Sequence, residues 1–207
     1  FCNSNLLSYT IQRAKESKLI NNIVVSTGNK DTQALAIKDG ATAPFLRPQS
    51  LSQDDIGVEA VLHHALEELE KENQFPDIIV YLSIYNPFRP VGLMDSLINT
   101  FLECGLDSIF ASHPTYKSCW IKNQDSYERV DEGFIPKSQK KPLNIGYVGL
   151  GCVTYPEFIR QNKLLGKKVG LMNNLDFYST IEVKDPDSKE ISEILFPKWW
   201  EAQNETL

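Results

Sequence analysis

The stretch of residues 78–90 constrains the fold most, because a short apolar run there turns abruptly into a polar segment. Isoleucine, valine and tyrosine dominate the run, which predicts a strand buried on both faces in a sheet covered by helices. Two prolines stiffen the polar end, and a helical pattern follows. Open α/β sheets bind ligands where a buried strand leads into a turn and a helix. An ordinary strand-to-helix connection would show the same pattern.

Strand and helix patterns alternate through the first half of the chain, which predicts an α/β fold. Helices are expected from an N-cap at Asn5 to about Lys18, from Asp31 to Lys38, and over 57–72 and 91–104, with further strands at 23–27 and 108–112. After His113 the rhythm changes to an α+β pattern that extends the same sheet. Its strands are expected at 118–121, 127–134, 147–155, 169–172 and 180–183, and its helices after Pro156 and over 186–195.

Composition narrows the classes of function. The net charge of −6 argues against a broad nucleic-acid or anionic-membrane surface. Apolar runs fall far short of the roughly 20 residues of a membrane span, and no signal peptide is recognisable. The four cysteines form no close cluster, which favours reduced thiols in a cytoplasmic protein. Because the chain starts at Phe1, in front of a helical pattern, we expect further residues upstream.

Polar side chains gather where the predicted strands end, and their types suit a polyanionic ligand such as a nucleotide. The main candidates are Ser26, Thr27, Arg47, Ser83, Tyr85, Asn86 and Arg89. Arginine grips phosphate or carboxylate through two parallel hydrogen bonds. A basic loop with Lys137, Lys140 and Lys141 could cover an anionic site, or could be solvated. Gly149 lies in a strand pattern, which indicates a bulge or a close approach of two backbones.

Four acids near the last predicted strand could supply oxygen ligands to Mg²⁺, which usually takes one or two carboxylates plus substrate phosphates. They are Asp176, Glu182, Asp185 and Asp187. Solvated loop acids and a helix N-terminal aspartate would give the same pattern. The pair Trp199 and Trp200 is expected to be a docking or subunit-contact patch.

Taken together, the order and spacing of the motifs resemble the acylneuraminate cytidylyltransferases, the CMP-sialic acid synthetase family. The matching segments are 5–11 (Asn-Leu-Leu-Ser-Tyr-Thr-Ile), 24–27 (Val-Val-Ser-Thr), 45–48 (Phe-Leu-Arg-Pro), Leu51, Asp54, 64–66 (His-Ala-Leu), 82–89, 149–155, 165–171 and 181–191. Each match alone is weak, but their common order covers nearly the whole chain.

The resemblance implies one domain over residues 1–207 with a GT-A-like (Rossmann-like) nucleotidyltransferase fold. Its sheet would be mixed and mostly parallel, with helices on both faces and an α+β excursion in the second half. The family joins the anomeric hydroxyl of a 2-keto sugar acid to the α-phosphate of CTP and releases pyrophosphate. The implied partners are CTP, a sugar acid and a second copy of the chain, with residues 113–145 as the dimerisation or substrate excursion.

The resemblance also assigns roles to individual residues. Arg47, Arg89 and Glu182 would be catalytic, with Glu182 at the first of two metal-binding acid positions for Mg²⁺. The nucleotide would lie against Ser26, Thr27, Ser83, Tyr85 and Asn86. Lys137, Lys140, Lys141 and Gly149 would bind the substrate. A further strand of the family's sheet and its triphosphate loop would precede Phe1.

The chain departs from the family at several of these positions. Ser83 replaces a glutamine that contacts the base or ribose, Tyr85 replaces a threonine, and Lys184 stands at the second metal acid. Two alternatives to a CTP-dependent enzyme therefore stay open. One is a non-catalytic homologue that binds a nucleotide or sugar, and the other is a sugar nucleotidyltransferase that uses another nucleoside triphosphate.

Overall fold

The computed structural model describes residues 1–53, 55–173 and 175–205. The helices are α1 (Leu6–Lys15), α2 (Lys30–Lys38), α3 (Val58–Lys71), α4 (Leu93–Glu103), α5 (Pro156–Arg160) and α6 (Pro186–Asn204). The strands are β1 (Ile79–Tyr81), β2 (Ser108–Thr115), β3 (Trp120–Asn123), β4 (Ser126–Arg129), β5 (Leu143–Gly146), β6 (Cys152–Thr154) and β7 (Val169–Met172). Short 3-10 helices lie at Gln49–Leu51, Lys137–Gln139 and Tyr178–Thr180.

The main sheet is organised around β2. Its first half pairs with β6 in antiparallel and with β7 in parallel orientation, and its second half pairs with β5. Beyond β6 lies β1, also antiparallel to β6. The α/β class is confirmed, but most hydrogen-bonded pairs are antiparallel, in contrast to the mostly parallel arrangement that we predicted. The reason is that β6 runs between β1 and β2 and opposite to both, so that these two strands share a direction without touching.

Helices cover both faces of this sheet, as predicted. Successive residues of a strand point to opposite faces, and β6 shows the consequence. Val153 packs on one face with Leu97 and Phe101 of α4. Cys152 packs on the other face with Leu66 of α3 and Ile159 of α5. The alternation therefore places α4 on one side and α3 and α5 on the other.

The segment 23–27 is extended, but its regular pairing is limited to one isolated parallel bridge between Val24 and Thr42. The amide of Val25 donates to the Thr42 carbonyl at 2.8 Å, and the amide of Thr42 donates to the Ile23 carbonyl at 2.8 Å. The strand predicted here is thus held along one edge. Helix α2 follows with Asn29 as its N-cap, two residues before the predicted cap Asp31.

Helix α6 is longer than predicted and continues through Pro197 to Asn204. A proline inside a helix removes one backbone hydrogen bond, and aromatic packing offsets this loss. Phe196 lies against Phe88, Trp199 and Trp200, with Tyr9 of α1 on its other side. The prediction that the tryptophan pair forms an external docking patch is wrong. Trp199 is buried, its indole donates to Asp176 Oδ2 at 3.1 Å, and both rings join α6 to the core.

The excursion after β2 contains the predicted hairpin, with β3 and β4 as a separate two-stranded sheet. The segment 180–183, expected to form a strand, instead contains the last residue of the 3-10 helix Tyr178–Thr180 and an irregular stretch after it. A backbone bond from the Val183 amide to the Tyr85 carbonyl at 2.8 Å joins this stretch to the end of β1. In the described part of the chain, no helix combines the length and apolar character that a membrane span requires.

Replacing Phe196 tests whether the aromatic cluster is internal. Phe196→Ala is expected to lower the free energy of unfolding by about 3–5 kcal/mol, because it leaves a cavity among packed rings. Ile194→Ala on the same helix is the control, since Ile194 is exposed and its loss is expected to cost less than about 0.5 kcal/mol. Urea denaturation of both variants measures the difference, and equal losses would contradict the assignment.

Candidate functional site

The first part of the candidate site is a polar pocket after the segment 23–27. Thr27, Asn29, Arg47 and Ser52 line a cavity of about 470 Å³, together with Gly28 and Gln49. The amide of Arg47 donates to the Thr27 carbonyl at 2.8 Å, and Arg47 Nε donates to Ser52 Oγ at 3.2 Å. No carboxylate among the described residues pairs with Arg47. The pocket therefore contains the positive charge of Arg47, with hydroxyl and amide groups around it.

A larger cavity of about 1000 Å³ joins this pocket to the end of β1. The segment 22–27 lines one side of it and the segment 76–82 the other, so backbone from two extended stretches borders the same space. Ser26 also lines this cavity, and its hydroxyl is buried without a hydrogen-bond partner in the described structure. The cavity lies where the resemblance implies a further strand of the sheet, and that strand stays a prediction.

The end of β1 forms the second part of the site. Ser83 donates its amide to the Gly149 carbonyl at 2.7 Å, and its hydroxyl accepts from the Tyr85 amide at 3.3 Å. Burial raises the pKa of Tyr81, whose phenol hydrogen-bonds with Ser83. A Cβ atom on Gly149 would lie 2.5 Å from Asn86 Oδ1 and 2.8 Å from Ser83 Cβ. The predicted close backbone approach at Gly149 is confirmed, because only a glycine leaves room there.

Arg89 does not lie where the resemblance implied. It is fully buried, and its guanidinium bonds three backbone carbonyls: Nε donates to Leu150 at 2.6 Å, and Nη2 donates to Ser83 and Gly149 at 3.0 Å each. Burial and the nearby charge of Arg13 lower the pKa of Arg89 to about 9, so the side chain stays charged at neutral pH. The expected contact of Arg89 with a nucleotide is corrected, because the side chain is buried and its Nε and Nη2 donate to carbonyls. Nη1 is also buried and has no hydrogen-bond partner in the described structure. Arg89 is a positioning residue.

The third part of the site is Glu182 with its neighbours. Asn86, itself buried, donates from Nδ2 to Glu182 Oε1 at 3.3 Å. Lys184 forms an ion pair with Glu182 Oε2. The intervening Val183 bonds the carbonyl of Tyr85, which lines the larger cavity. The structure therefore brings Ser83, Asn86, Gly149 and Glu182 together, as predicted for the site, and adds Lys184.

Two of the other three acids proposed as metal ligands have structural partners, and the third, Asp187, is exposed. Asp176 accepts from the Ser179 amide and hydroxyl and from Trp199. Asp185 forms a capping box with Ser188 at the start of α6, and the bonds from Ser188 lower its pKa. The described residues contain no group of three or more metal-binding side chains. The ion pair of Glu182 with Lys184 places a positive charge where a Mg²⁺ ion would bind, and this pairing does not fit a Mg²⁺ site. Asp54, matched by the resemblance, lies outside the described residues.

The three lysines expected to bind substrate belong to the excursion, and none lines either cavity. Lys140 is engaged: its ammonium pairs with Asp131 and donates to the Tyr116 carbonyl at 3.1 Å. The pKa of Asp131 lies well below its usual value, because Arg129 and Lys140 both bond its carboxylate. A free substrate contact from Lys140 is therefore wrong. Lys137 lies 4.9 Å over the Tyr116 ring, and Lys141 is exposed, so their assignment stays a prediction.

Sequence reasoning missed the side chains of Asn29, Gln49 and Ser52, which line the pocket around Arg47. The polar turn after the segment 23–27 was the available signal for Asn29. Ser52 carried no comparable signal, because only the folded chain places its hydroxyl against the Arg47 side chain.

No family model matches the chain, but individual proteins are similar to it. The pseudaminic acid cytidylyltransferase of Campylobacter jejuni subsp. jejuni serotype O:2 is 26% identical over 156 residues, which are 73% of this chain and 67% of that protein. The CMP-N,N'-diacetyllegionaminic acid synthase of Legionella pneumophila subsp. pneumophila is 27% identical over 121 residues, or 58% of this chain and 52% of that protein.

Two solved structures share the fold. A CMP:2-keto-3-deoxy-manno-octonic acid synthetase complexed with CTP superposes with a TM-score of 0.67 at 10% identity, over 93% of this chain and 88% of that one. A 4-diphosphocytidyl-2C-methyl-D-erythritol synthase from Anaerococcus prevotii gives a TM-score of 0.67 at 11% identity, over 92% and 88%. Both likenesses extend over nearly the whole described chain, which confirms the predicted fold class.

Gly149→Ala tests how tightly the second part of the site is packed. The added methyl group would collide with Asn86 and Ser83, so we expect a loss of about 1–3 kcal/mol in the free energy of unfolding. Gly57→Ala is the matched control, because its Cβ would meet only the flexible end of the Glu59 side chain. Chemical denaturation compares the two variants, and an unchanged stability for Gly149→Ala would refute the close approach.

Proposed function

We propose that the chain is a divergent cytidylyltransferase of the CMP-sialic acid synthetase type, on the support of its similarity to the pseudaminic acid cytidylyltransferase and the CMP-N,N'-diacetyllegionaminic acid synthase. It would activate a 2-keto sugar acid of the sialic-acid type with CTP and release pyrophosphate. The observation that carries the proposal is the polar pocket around Arg47, which Thr27, Asn29 and Ser52 also line. Arg47 and Thr27 are both among the residues that the resemblance placed near the nucleotide.

In this reaction the chain would mainly position the two substrates and stabilise the negative charge of the phosphates. The anomeric hydroxyl oxygen of the sugar acid forms a bond to the α-phosphorus of CTP, and the bond from that phosphorus to the bridging oxygen breaks. Pyrophosphate leaves with the electron pair, and the hydroxyl proton goes to solvent. Arg47 would bind phosphate oxygens, since the Ser52 hydroxyl is the only side-chain partner of its guanidinium among the described residues. The unpartnered Ser26 hydroxyl would donate to the ligand.

Arg89, which is buried, would support the arrangement of the residues at the end of β1. By joining the carbonyls of Ser83 and Gly149, it would fix the turn that presents Ser83 and Asn86. No step of the reaction is assigned to Mg²⁺ held by the protein, because the residues around Glu182 do not fit such a site. A Mg²⁺ ion carried by the triphosphate itself is compatible with the cavity.

We also propose that the chain forms a homodimer through the excursion, residues 113–145. A lone two-stranded hairpin is marginally stable in water, and β3–β4 exposes large apolar side chains. Trp120, Ile121, Tyr127 and Phe134 are between 52% and 88% exposed. A second copy that covers them would stabilise the hairpin. We place the protein in the cytoplasm, on the support of its four free thiols.

The activity is tested by pyrophosphate release from CTP with a panel of sialic-acid-like 2-keto sugar acids. Arg47→Gln is expected to lower kcat/KM by about tenfold to a hundredfold, since it removes one charged hydrogen-bond donor to phosphate. Arg160→Gln is the control, because Arg160 is an exposed arginine that pairs with Glu70 and lines neither cavity of the described structure. Release from another nucleoside triphosphate would support the alternative enzyme. If no nucleoside triphosphate gives pyrophosphate release, the result would support the other alternative, a non-catalytic homologue that binds a nucleotide or sugar.

The dimer is tested by sedimentation. Tyr127→Asp introduces a charge at a side chain that is 67% exposed in the hairpin, and we expect it to shift the protein towards the monomer. Ile37→Asp, at an exposed position on α2, is expected to leave the association unchanged. A monomeric unaltered protein, or equal effects of both substitutions, would contradict the interface.

A further inference from the structure

The excursion, residues 113–145, extends beyond the main sheet without an apolar core of its own. The pairing of β2 with β5 ends at Thr115 and Leu143, so that residues 116–142 lie outside this ladder. None of the residues 116–141, all of which the structure describes, is buried as a whole residue. A two-stranded hairpin that buries little apolar surface is marginally stable in water. Other interactions must therefore hold this segment in its fold.

The carboxylate of Asp131 lies at the centre of this segment. Only 1% of its side chain is exposed, although most of the surrounding residues are exposed. Oδ1 accepts from the Cys119 amide at 3.1 Å and from Arg129 Nε at 2.8 Å. Oδ2 pairs with the Lys140 ammonium and accepts from the Gly133 amide at 3.4 Å. The carboxylate therefore joins the open end of the β3–β4 hairpin to the loop that follows it.

Arg129 links Asp131 to two exposed aromatic rings. Its guanidinium lies 3.8 Å from the centroid of the Phe134 ring and 5.2 Å from that of the Trp120 ring. Its Nη2 also donates to Ser118 Oγ at 2.9 Å. The two rings are 88% and 52% exposed, respectively, so packing against the protein does little to fix them. A guanidinium attracts aromatic faces at these distances. The arrangement of both rings thus depends on the cation, and the cation is held by the carboxylate.

Charge favours a second copy of the chain as the partner of these rings. Residues 113–145 hold six lysines or arginines and four acids, whereas the whole chain holds 21 and 27. The excursion is thus net positive, and the rest of the chain is strongly negative. In a homodimer the excursion of one copy can meet the acidic remainder of the other, and complementary charges favour such an encounter. Aromatic residues and arginine are also enriched at protein–protein interfaces.

We propose that Asp131 is the positioning residue of this interaction surface: its carboxylate holds Arg129, and with it the two flanking rings, in the arrangement that a second copy recognises. The identity of the partner rests on the proposed homodimer, whereas the ordering of the excursion by Asp131 does not. Without the carboxylate, Arg129 and Lys140 are neighbouring like charges that repel each other. The segment 116–141 then loses its order, while the main sheet and its helices stay folded.

The first arm of the test compares amide hydrogen exchange in the unaltered protein and in Asp131→Asn, which keeps the shape of the side chain and removes its charge. We expect exchange within residues 116–141 to become about tenfold faster, because the carboxylate is the common acceptor of that segment. Exchange in α4 and β6 is expected to stay unchanged. Asp125→Asn, at an exposed acid between β3 and β4, is the control. Unchanged exchange in 116–141, or faster exchange throughout the chain, would overturn the proposal.

The second arm measures the dissociation constant of the homodimer by sedimentation equilibrium. Asp131→Asn is expected to raise it by about tenfold, and Asp131→Glu, which keeps the charge, is expected to restore part of the affinity. Asp125→Asn is expected to leave it unchanged. Equal constants for the unaltered protein and Asp131→Asn would overturn the role in recognition. A monomeric unaltered protein would refute the homodimer and with it the partner, and the exchange measurement would still decide whether Asp131 orders the excursion.

Discussion

The buried guanidinium of Arg89 is the interaction on which the candidate site depends. A charge inside a protein is tolerated only where hydrogen bonds replace water. Here the carbonyls of Ser83, Gly149 and Leu150 take that role. These carbonyls come from the end of β1 and from the turn before β6, so one side chain joins two polar segments that are far apart in sequence. The position of Asn86, and through it of Glu182, follows from this joint.

The polar pocket around Arg47 suits a polyanion. Arg47 lines it and has the Ser52 hydroxyl as a neighbour. The buried hydroxyl of Ser26 lines the adjoining larger cavity. The chain as a whole carries a net charge of −6. A local cation in an acidic protein selects a small anionic ligand over an extended one such as nucleic acid.

The sequence predicts those features that depend on neighbouring residues. The strand Val169–Met172, the helix after Pro156 and the close approach at Gly149 are confirmed. Features that depend on distant contacts were missed. Nothing local indicates that β6 inserts between β1 and β2, which makes most pairs antiparallel. Pro197 suggested a helix end, yet rings from α1 and from residue 88 hold the helix together beyond it.

In the candidate site, too, the sequence predicts what depends on residue type and misses what depends on distant contacts. An arginine that follows a strand end suits a ligand contact by residue type, but burial and three carbonyls decide the role of Arg89. A lysine in a basic loop suits an anion, but Asp131 neutralises Lys140. In both cases the competing partner comes from a distant part of the chain or from an unpredicted turn. Residue type therefore predicts what a side chain can bind, and the fold decides what it does bind.

A crystal structure of the protein with CTP tests this account most directly. The account predicts that the triphosphate lies against Arg47, in the polar pocket that Thr27 and Ser52 also line. It also predicts that Arg89 keeps its three carbonyl bonds and does not touch the nucleotide. Binding of CTP outside this pocket, or a guanidinium of Arg89 turned out to a phosphate, would contradict it.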